Sequence, residues 1–150
     1  MEIAPIVDAD VAEVVALWER CGLTRPWNDP LANIALARAS PTSEVLVGRH
    51  GGRIAASAMV GTDGHRGWVY YLSVDPGSSR RGLGRAMMQA CEAWARGRGV
   101  PKIQLMVRQG NAATIGFYQA LGYRLEETVI LGKRFDGRSW DTADAPAPRG

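Results

Sequence analysis

A glycine-rich turn flanked by arginines is the part of this sequence with the clearest chemical meaning. Residues 70–86 read YYLSVDPGSSRRGLGRA, which predicts a strand, a turn at residues 75–77 and a helix that opens at Gly82. The first turn of a helix presents unpaired backbone N–H groups and a positive dipole potential. Gly82 and Gly84 lack a Cβ atom, so an anion can approach the main chain closely. Three arginines add charge and bidentate donors: Arg80, Arg81 and Arg85. The segment therefore predicts a phosphate site, and a diphosphate is the ligand that suits it.

Two common phosphate-binding loops do not match this segment. A dinucleotide-binding fingerprint requires a third glycine at position 87, which is Met87. A Walker loop requires Gly-Lys-Ser/Thr, which the sequence lacks. A tight strand-to-helix turn can also require glycine for its geometry alone, so the two glycines by themselves leave both interpretations open.

The composition describes one globular domain. The chain has 150 residues, of which 46% are apolar and 22% are charged, and this is enough for one core of ordinary size. No apolar run approaches the roughly 18 residues that cross a bilayer, and the N-terminus lacks the pattern of a signal peptide. Cys21 and Cys91 have no second cysteine at metal-ligand spacing. We expect a cytoplasmic protein with no membrane segment and no metal site.

The net charge of +3 is small, but the charges are unevenly distributed. The stretch from Arg80 to Arg108 contains seven cations and a single acid, Glu92. A basic centre of this kind favours a polyanionic ligand. Nucleic acid is not expected, because no aromatic–basic interleaving or nucleic-acid-binding motif accompanies the charge.

Hydrophobic periodicity, caps and turn residues predict the order β-α-α-β-β-β-α-β-α-β, with one further strand possible at the end. The predicted strands cover residues 2–7, 44–49, 53–61, 68–75, 102–107 and one or two segments of 123–135. The order indicates an α+β domain with a mixed central sheet of six to seven strands and about four helices. Within residues 68–75, alternation places Tyr70, Leu72 and Val74 on one face of the sheet. We expect residues 1–138 to form the domain and residues 139–150 to be a disordered tail.

A second motif lies about thirty residues beyond the glycine-rich turn. Residues 111–123 read NAATIGFYQALGY. The two motifs, with a strand between them, resemble the GNAT superfamily of N-acyltransferases, in which the turn reads Gln/Arg-x-x-Gly-x-Gly/Ala and the later segment has Asn, Phe-Tyr and Gly-aromatic. The resemblance covers the chain from the first strand to about Phe135. The segments RPWNDP, DGHRG, PKIQ and LGKR are similar to a small bacterial YpeA-like subgroup.

The resemblance implies binding of acetyl-CoA and direct transfer of its acetyl group to an amine. It assigns the diphosphate to the turn, through Arg80, Arg81, Gly82, Leu83, Gly84 and Arg85. The main chain of Leu72, Ser73 and Val74 would pair with the pantetheine arm, and the Leu72 N–H would point at the thioester oxygen. Asn111 would bond the pantetheine, cap its own helix, or do both. Tyr118 would give a proton to the leaving sulfur, as a phenol can.

The sequence departs from the family pattern in the turn and at the general base. Ser79 replaces the usual Gln or Arg, and Arg80 follows it where Gly is frequent. Met106 stands where relatives that acetylate protein N-termini can carry Glu. The base that takes the proton of the amine therefore stays open, and the candidates are Asp63, His65, Tyr70, Tyr71 and solvent.

The acceptor is expected opposite the cofactor, beside the loop LTRPWNDP. Trp27 offers an aromatic face, and Asn28 and Asp29 offer acceptors to an amine. Asp63 and Tyr70 are the remaining candidates for this site. We expect a small primary amine or an exposed peptide amine as the partner, and a monomer or homodimer. A CoA-binding module without catalysis and an RNA-directed acetylating toxin are the alternatives that the sequence leaves.

Overall fold

The computed structural model describes residues 1–78 and 81–138. The strands in this part of the chain are β1 (Glu2–Pro5), β2 (Ser43–His50), β3 (Arg53–Thr62), β4 (Gly67–Val74) and β5 (Ile103–Leu105). The α-helices are α1 (Val11–Arg20), α2 (Pro30–Ala39), α3 (Leu83–Gly97) and α4 (Ala112–Ala120). Ser79, Arg80 and the expected tail, residues 139–150, lie outside the described residues. Within the described ranges, no helix is long and apolar enough to cross a membrane.

The five strands form one mixed sheet in the order β1-β2-β3-β4-β5. The first four strands are antiparallel neighbours, and β5 is parallel to β4. The chain passes from β4 to β5 through α3, because parallel neighbours require a crossover connection. The expected α+β class, the mixed sheet and the four helices are confirmed in the described residues.

The β2–β3 hairpin shows how the local sequence specifies the meander. Its turn residues Gly51 and Gly52 have φ values of 60° and 79°. A two-residue hairpin whose twist matches its strands requires positive φ at both central positions, and glycine adopts this conformation without a steric penalty. The backbone conformation of the His50-Gly51-Gly52-Arg53 turn therefore explains why both of its central residues are glycine.

Apolar side chains cover both faces of the sheet. On one side, here called the α1–α2 face, Leu17 and Trp18 are fully buried in a cluster that includes Val45 and Val47. On the other side, the α3–α4 face, Met87 and Cys91 are buried in a cluster that includes Leu46. Because successive strand residues point to opposite faces, strand β2 contributes to both clusters.

The expectation of six to seven strands is corrected to five in the described residues. The segment 123–135 was expected to hold the additional strands, but none of it forms a strand. Its apolar pattern satisfies the period of a strand, but a strand also requires a backbone partner. The segment meets β5 through the side chain of Glu126, which accepts from Gln104 Nε2 at 2.8 Å and pairs with Lys102. Its large apolar side chains are exposed: Leu125, Val129, Ile130, Leu131 and Phe135.

Candidate active site

The sheet opens between β4 and β5. The two strands pair only at Gly67–Val69, whose partners are Ile103–Leu105. Strand β4 continues to Val74 along β3, whereas β5 ends at Leu105. In the described part of the chain, residues 70–74 therefore have a strand partner on one edge and none on the other. This edge is available to a ligand that pairs with main chain.

Strand β4 contains a β-bulge next to the opening. Its register with β3 runs from Tyr70 opposite Met59 to Ser73 opposite Ser57, so β4 has one residue more than β3 in this interval. Tyr71 has φ of 55°. Tyr71 and Met59 both pack against the α1–α2 face, while Leu72 packs against the α3–α4 face.

The bulge corrects the expected alternation along β4. Residues that oppose each other in neighbouring strands share a face of the sheet, so Tyr70 lies on the face of Met59. Tyr70 and Tyr71 therefore share the α1–α2 face, and Tyr70 is separated from Leu72 and Val74. The extra residue in the bulge breaks the period of two that the sequence argument assumed.

Leu72, Ser73 and Val74 of β4 were expected at the cofactor, but the side chain of Ser73 faces Ser57 of β3. Ser73 is buried, and its Oγ lies 3.2 Å from both Ser57 Oγ and the Ser57 carbonyl oxygen. Leu72 and Val74 are half-buried beside α3 and α4. The groups that this strand can offer a ligand are therefore main-chain groups and apolar side chains.

The N-terminus of α3 has the features of an anion site. Gly82 is the N-cap residue with φ of 72°, and it provides no side-chain hydrogen bond to the first turn. Among the described residues, no side chain caps this end, so the early N–H groups of the helix are open to another acceptor. Arg81 and Arg85 are exposed, and Arg81 Nη1 lies 3.4 Å from His50 Nε2.

Gly84 has a second structural reason to be glycine. A Cβ atom at this position would lie 3.1 Å from Phe117 Cζ and 3.6 Å from Val74 Cγ2. The absence of a side chain therefore lets α3 approach α4 and β4 closely. A bulky substitution at Gly84 would disturb this packing as well as any bound anion.

Helix α4 contributes a buried phenol. Tyr118 is 9% exposed and packs edge-to-face against Phe117 and Tyr123, with ring centroids 5.0 and 5.7 Å apart. Burial and the nearby Cys91 thiol raise the pKa of Tyr118 to about 12. Its hydroxyl is therefore protonated at neutral pH and can act as a proton donor.

Asn111 occupies the N-cap of α4. Its Oδ1 accepts a hydrogen bond from the Thr114 N–H at 3.2 Å, which confirms the capping role. The side chain is exposed, so its amide group still faces solvent. The contact with pantetheine stays a prediction.

A cavity of about 630 Å³ lies along β5, and Trp68 of β4 is among the residues that line it. Its walls come from β5, the ends of α3 and α4, and the segment 121–130. Tyr118, Leu105 and Val107 line it. The Tyr118 phenol of α4 and the short strand β5, which borders the opening, therefore line the same cavity.

The loop that contains Trp27 is fixed by an arginine that sequence reasoning missed. Arg134 Nη2 donates to the Trp27 carbonyl oxygen at 2.8 Å and lies 3.5 Å from Asn28 Oδ1. The Arg108 guanidinium, just beyond β5, lies 5.9 Å from the centroid of the Trp27 ring. Asp29 caps α2, since its Oδ1 accepts from Leu31 N at 3.0 Å. The segment LGKR was the only sequence signal for Arg134, and it carried no indication of a partner.

Asp63 is held by the turn between β3 and β4. Its carboxylate accepts from the N–H groups of Arg66 and His65 at 2.7 and 2.8 Å and from Trp68 Nε1 at 3.2 Å. These hydrogen bonds lower the pKa of Asp63 to about 2. Burial, and the charge of Asp63, raise the pKa of Tyr70, whose side chain is 41% exposed. The pKa values of Asp63 and Tyr70 therefore both lie far from neutral pH. An efficient general base has a pKa near neutral pH.

The structure separates the residues that were expected at the acceptor. Arg108 and the neighbouring Trp27 lie beyond the C-terminal end of β5, whereas Asp63 precedes the N-terminal end of β4. Since the two strands are parallel, Trp27 and Asp63 lie toward opposite ends of this strand pair. Leu72, Val74, Gly84 and Tyr118 are instead brought together around the α3–α4 face.

Comparison with known proteins agrees with this geometry. Residues 9–123 match the Acetyltransferase (GNAT) family. A protein named as an acetyltransferase from Yersinia enterocolitica is 43% identical over 134 residues, which cover 89% of this chain and 95% of that protein.

Two solved structures share the fold at low sequence identity. One is AAC(6')-Iy in complex with the bisubstrate analog CoA-S-monomethyl-acetylneamine, with a TM-score of 0.77, 15% identity, and coverage of 89% of this chain and 97% of that chain. The other is the ribosomal-protein-S18-alanine N-acetyltransferase from Escherichia coli, with a TM-score of 0.67, 24% identity, and coverage of 81% and 76%.

The hydrogen bonds to Asp63 predict its titration. We expect the side-chain carboxyl carbon of Asp63 to titrate in an NMR experiment with a midpoint at about pH 2. Because the pKa in the folded state is below that of an unfolded chain, the turn is stabilised above about pH 4 and loses this stabilisation as the pH falls toward 2. A midpoint above pH 5 would contradict this account and return Asp63 to the list of bases.

Proposed function

Since this chain belongs to the GNAT acetyltransferase family, we propose that it moves the acetyl group of acetyl-CoA by direct transfer to a primary amine. The chain is an acyltransferase, and acetyl-CoA is the acetyl donor of this family. The observation that supports the proposal most is the opening of the sheet after Val69. It lies between the uncapped N-terminus of α3 and the buried phenol of α4.

The residues of this structure suit acetyl-CoA, which supplies an activated thioester when it is bound. The uncapped first turn of α3 and the exposed Arg81 and Arg85 would hold the diphosphate. The unpaired edge of β4 at Leu72–Val74 would hold the amides of the pantetheine arm. Asn111 adds an exposed amide near the start of α4. The contributions of Ser79 and Arg80 lie outside the described residues.

Tyr118 is proposed as the acid. A thiolate leaving group requires a proton, and the Tyr118 hydroxyl is protonated at neutral pH. Its raised pKa makes it a weak acid in the ground state, but a proton donor need only match the basicity that develops at the sulfur. Its burial between two aromatic rings fixes its position.

The Leu72 N–H is proposed as the donor to the thioester oxygen. Negative charge develops on this oxygen when the amine attacks, and a preorganised main-chain N–H stabilises that charge. The bulge at Tyr71 immediately precedes this N–H. The donor would thus be part of the backbone and independent of the side chain at position 72.

Water is proposed as the route by which the amine loses its proton. An amine attacks only in its neutral form, so its proton must leave before or during the attack. Asp63 has a pKa of about 2 and lies beyond the far end of β4, which makes it a poor base for this step. The pKa of Tyr70 is raised, so its phenolate is scarce at neutral pH.

The acceptor is proposed to be the amine of a small molecule or of a peptide, entering beside Trp27. Of the two structural neighbours named above, one is in complex with a bisubstrate analog built on acetylneamine, and the other is named for the alanine of a ribosomal protein. Trp27 presents its ring in a loop that Arg134 holds at the C-terminal side of β5. An ordered aromatic face binds the apolar part of a small amine or stacks on its cation.

Arg85→Gln tests the diphosphate site. We expect this substitution to weaken acetyl-CoA binding about tenfold in calorimetry, because a charged hydrogen bond to a phosphate is lost. Arg96→Gln is the matched control, since it removes the same charge from an exposed position near the other end of α3. Equal affinities for the two variants would show that the N-terminus of α3 does not bind the diphosphate.

Tyr118→Phe tests the acid. The change removes one hydroxyl, so we expect folding and acetyl-CoA binding to persist and turnover to fall about 10²–10⁴-fold. Below about pH 11, no limb of the wild-type profile should belong to Tyr118, because its pKa is about 12. Tyr123→Phe removes a neighbouring hydroxyl that donates to Glu92 Oε1 and is the control. A loss of under about threefold in Tyr118→Phe would assign Tyr118 to packing alone.

Trp27→Ala tests the acceptor side. In a screen of amino acids, polyamines, aminoglycosides and peptides, read by release of free CoA thiol, we expect at least one amine to react. For the best acceptor, Trp27→Ala should raise KM by about tenfold, whereas Trp27→Phe keeps an aromatic face and should raise it less. Acetylation of tRNA-linked amines alone, or unchanged kinetics in Trp27→Ala, would refute this acceptor site.

A further inference from the structure

Tyr71 is the only non-glycine residue with positive φ in the described ranges 1–78 and 81–138. A left-handed backbone conformation is unfavourable for an aromatic residue and persists only where the surroundings hold it. We propose that Tyr71 is a positioning residue, whose ring holds the bulge of β4 in place and thereby turns the Leu72 N–H into the opening of the sheet. This inference rests on the proposed function, because it concerns the donor to the thioester oxygen.

Two main-chain hydrogen bonds show what the bulge changes. The Gly67 N–H donates to the Lys102 carbonyl oxygen at 2.8 Å and therefore faces β5. The Asp75 N–H donates to the Ala55 carbonyl oxygen at 2.7 Å and therefore faces β3. In an uninterrupted strand, residues eight positions apart face the same edge, because the direction of the N–H alternates with each residue. The extra residue at the bulge has inverted this alternation.

The inversion decides the direction of the Leu72 N–H. Counting back from Asp75, the N–H of Ser73 faces β3, and those of Val74 and Leu72 face the open edge. Counting forward from Gly67 without a bulge, Leu72 would face β3 instead. The left-handed conformation at Tyr71 is therefore the local feature that directs the Leu72 N–H toward the open edge, where a ligand can accept from it, and away from β3.

The Tyr71 side chain is anchored on both sides. Its ring stacks on Trp18, with centroids 3.9 Å apart and planes 4° from parallel. Trp18 is fully buried and donates from Nε1 to Ser57 Oγ at 2.8 Å. Ser57 and Ser73 are the first paired residues beyond the bulge, so the stack is fixed to the sheet at that point.

Asn33 of helix α2 provides the second anchor. Its Nδ2 donates to the Tyr71 hydroxyl at 2.6 Å. Burial raises the pKa of Tyr71, so the hydroxyl stays neutral and accepts this bond throughout the physiological range. The proposal gives Tyr71 an anchoring role, which differs from the general-base role for which the sequence made it a candidate.

The test compares two substitutions that remove the same ring. Tyr71→Ala and Tyr71→Gly both lose the stack and the hydroxyl, but only glycine adopts positive φ without a penalty. We expect kcat for acetyl transfer to fall about tenfold in Tyr71→Ala and about threefold in Tyr71→Gly. Tyr71→Phe keeps the stack and loses the Asn33 bond, and it should lose about two- to fivefold. A kcat for Tyr71→Ala within about twofold of the wild type would overturn the inference, because the ring would then not be needed to hold the bulge.

A second measurement separates this inference from the proposed function. Crystal structures of the wild type and of Tyr71→Ala report φ at position 71 and the direction of the Leu72 N–H without any turnover. We expect negative φ and a Leu72 N–H directed at β3 in Tyr71→Ala; retained positive φ would overturn the inference. If Tyr71→Ala does not fold, Asn33→Ala keeps the stack, and a Leu72 amide NMR signal unchanged from wild type would overturn it. A wild type that transfers acetyl to no amine would refute the proposed function, while these structural readouts still decide the role of Tyr71.

Discussion

A strand that leaves its neighbour exposes hydrogen-bonding groups that something else must satisfy, and this is the constraint on which the rest of this structure depends. Strand β4 has such an edge because β5 ends at Leu105, while β3 continues to pair with β4 as far as Val74. Buried main-chain groups without partners are costly in a folded protein. The opening is therefore a place where a ligand with amide groups is stabilised by the backbone itself.

The two faces of the sheet have different tasks around this opening. On the α1–α2 face, Trp18, Tyr71 and Ser57 form a connected stack and hydrogen-bond chain that is buried and committed to structure. On the α3–α4 face, Leu72 and Val74 meet Tyr118 and the start of α3. Rigid packing on one face thus supports the geometry of the proposed site on the other, because both depend on the same eight residues of β4.

The acceptor side has a different character from the cofactor side. The groups proposed to hold the cofactor are mostly backbone N–H groups and glycines. The acceptor groups are side chains on loops, and Trp27 owes its position to Arg134, which is more than one hundred residues away. The carboxylates that appeared free in the sequence are engaged, since Asp29 caps α2 and Asp63 organises a turn. The proposed acceptor site therefore depends on loop anchoring more than on any single charged group.

The sequence by itself determined the order of elements from β1 to α4, the hairpin at Gly51-Gly52, the N-terminus of α3 and the cap at Asn111. These features depend on backbone conformation and on hydrogen bonds within a few residues, which local residue types specify directly. Only the tertiary structure decided that β5 is short and that the apolar pattern of residues 123–135 forms no strand, because pairing requires a partner distant in sequence. It also decided the bulge at Tyr71. Nothing in YYLSV marks where the period of two is broken, since the stack on Trp18 and the bond from Asn33 come from helices 38 or more residues earlier in the chain.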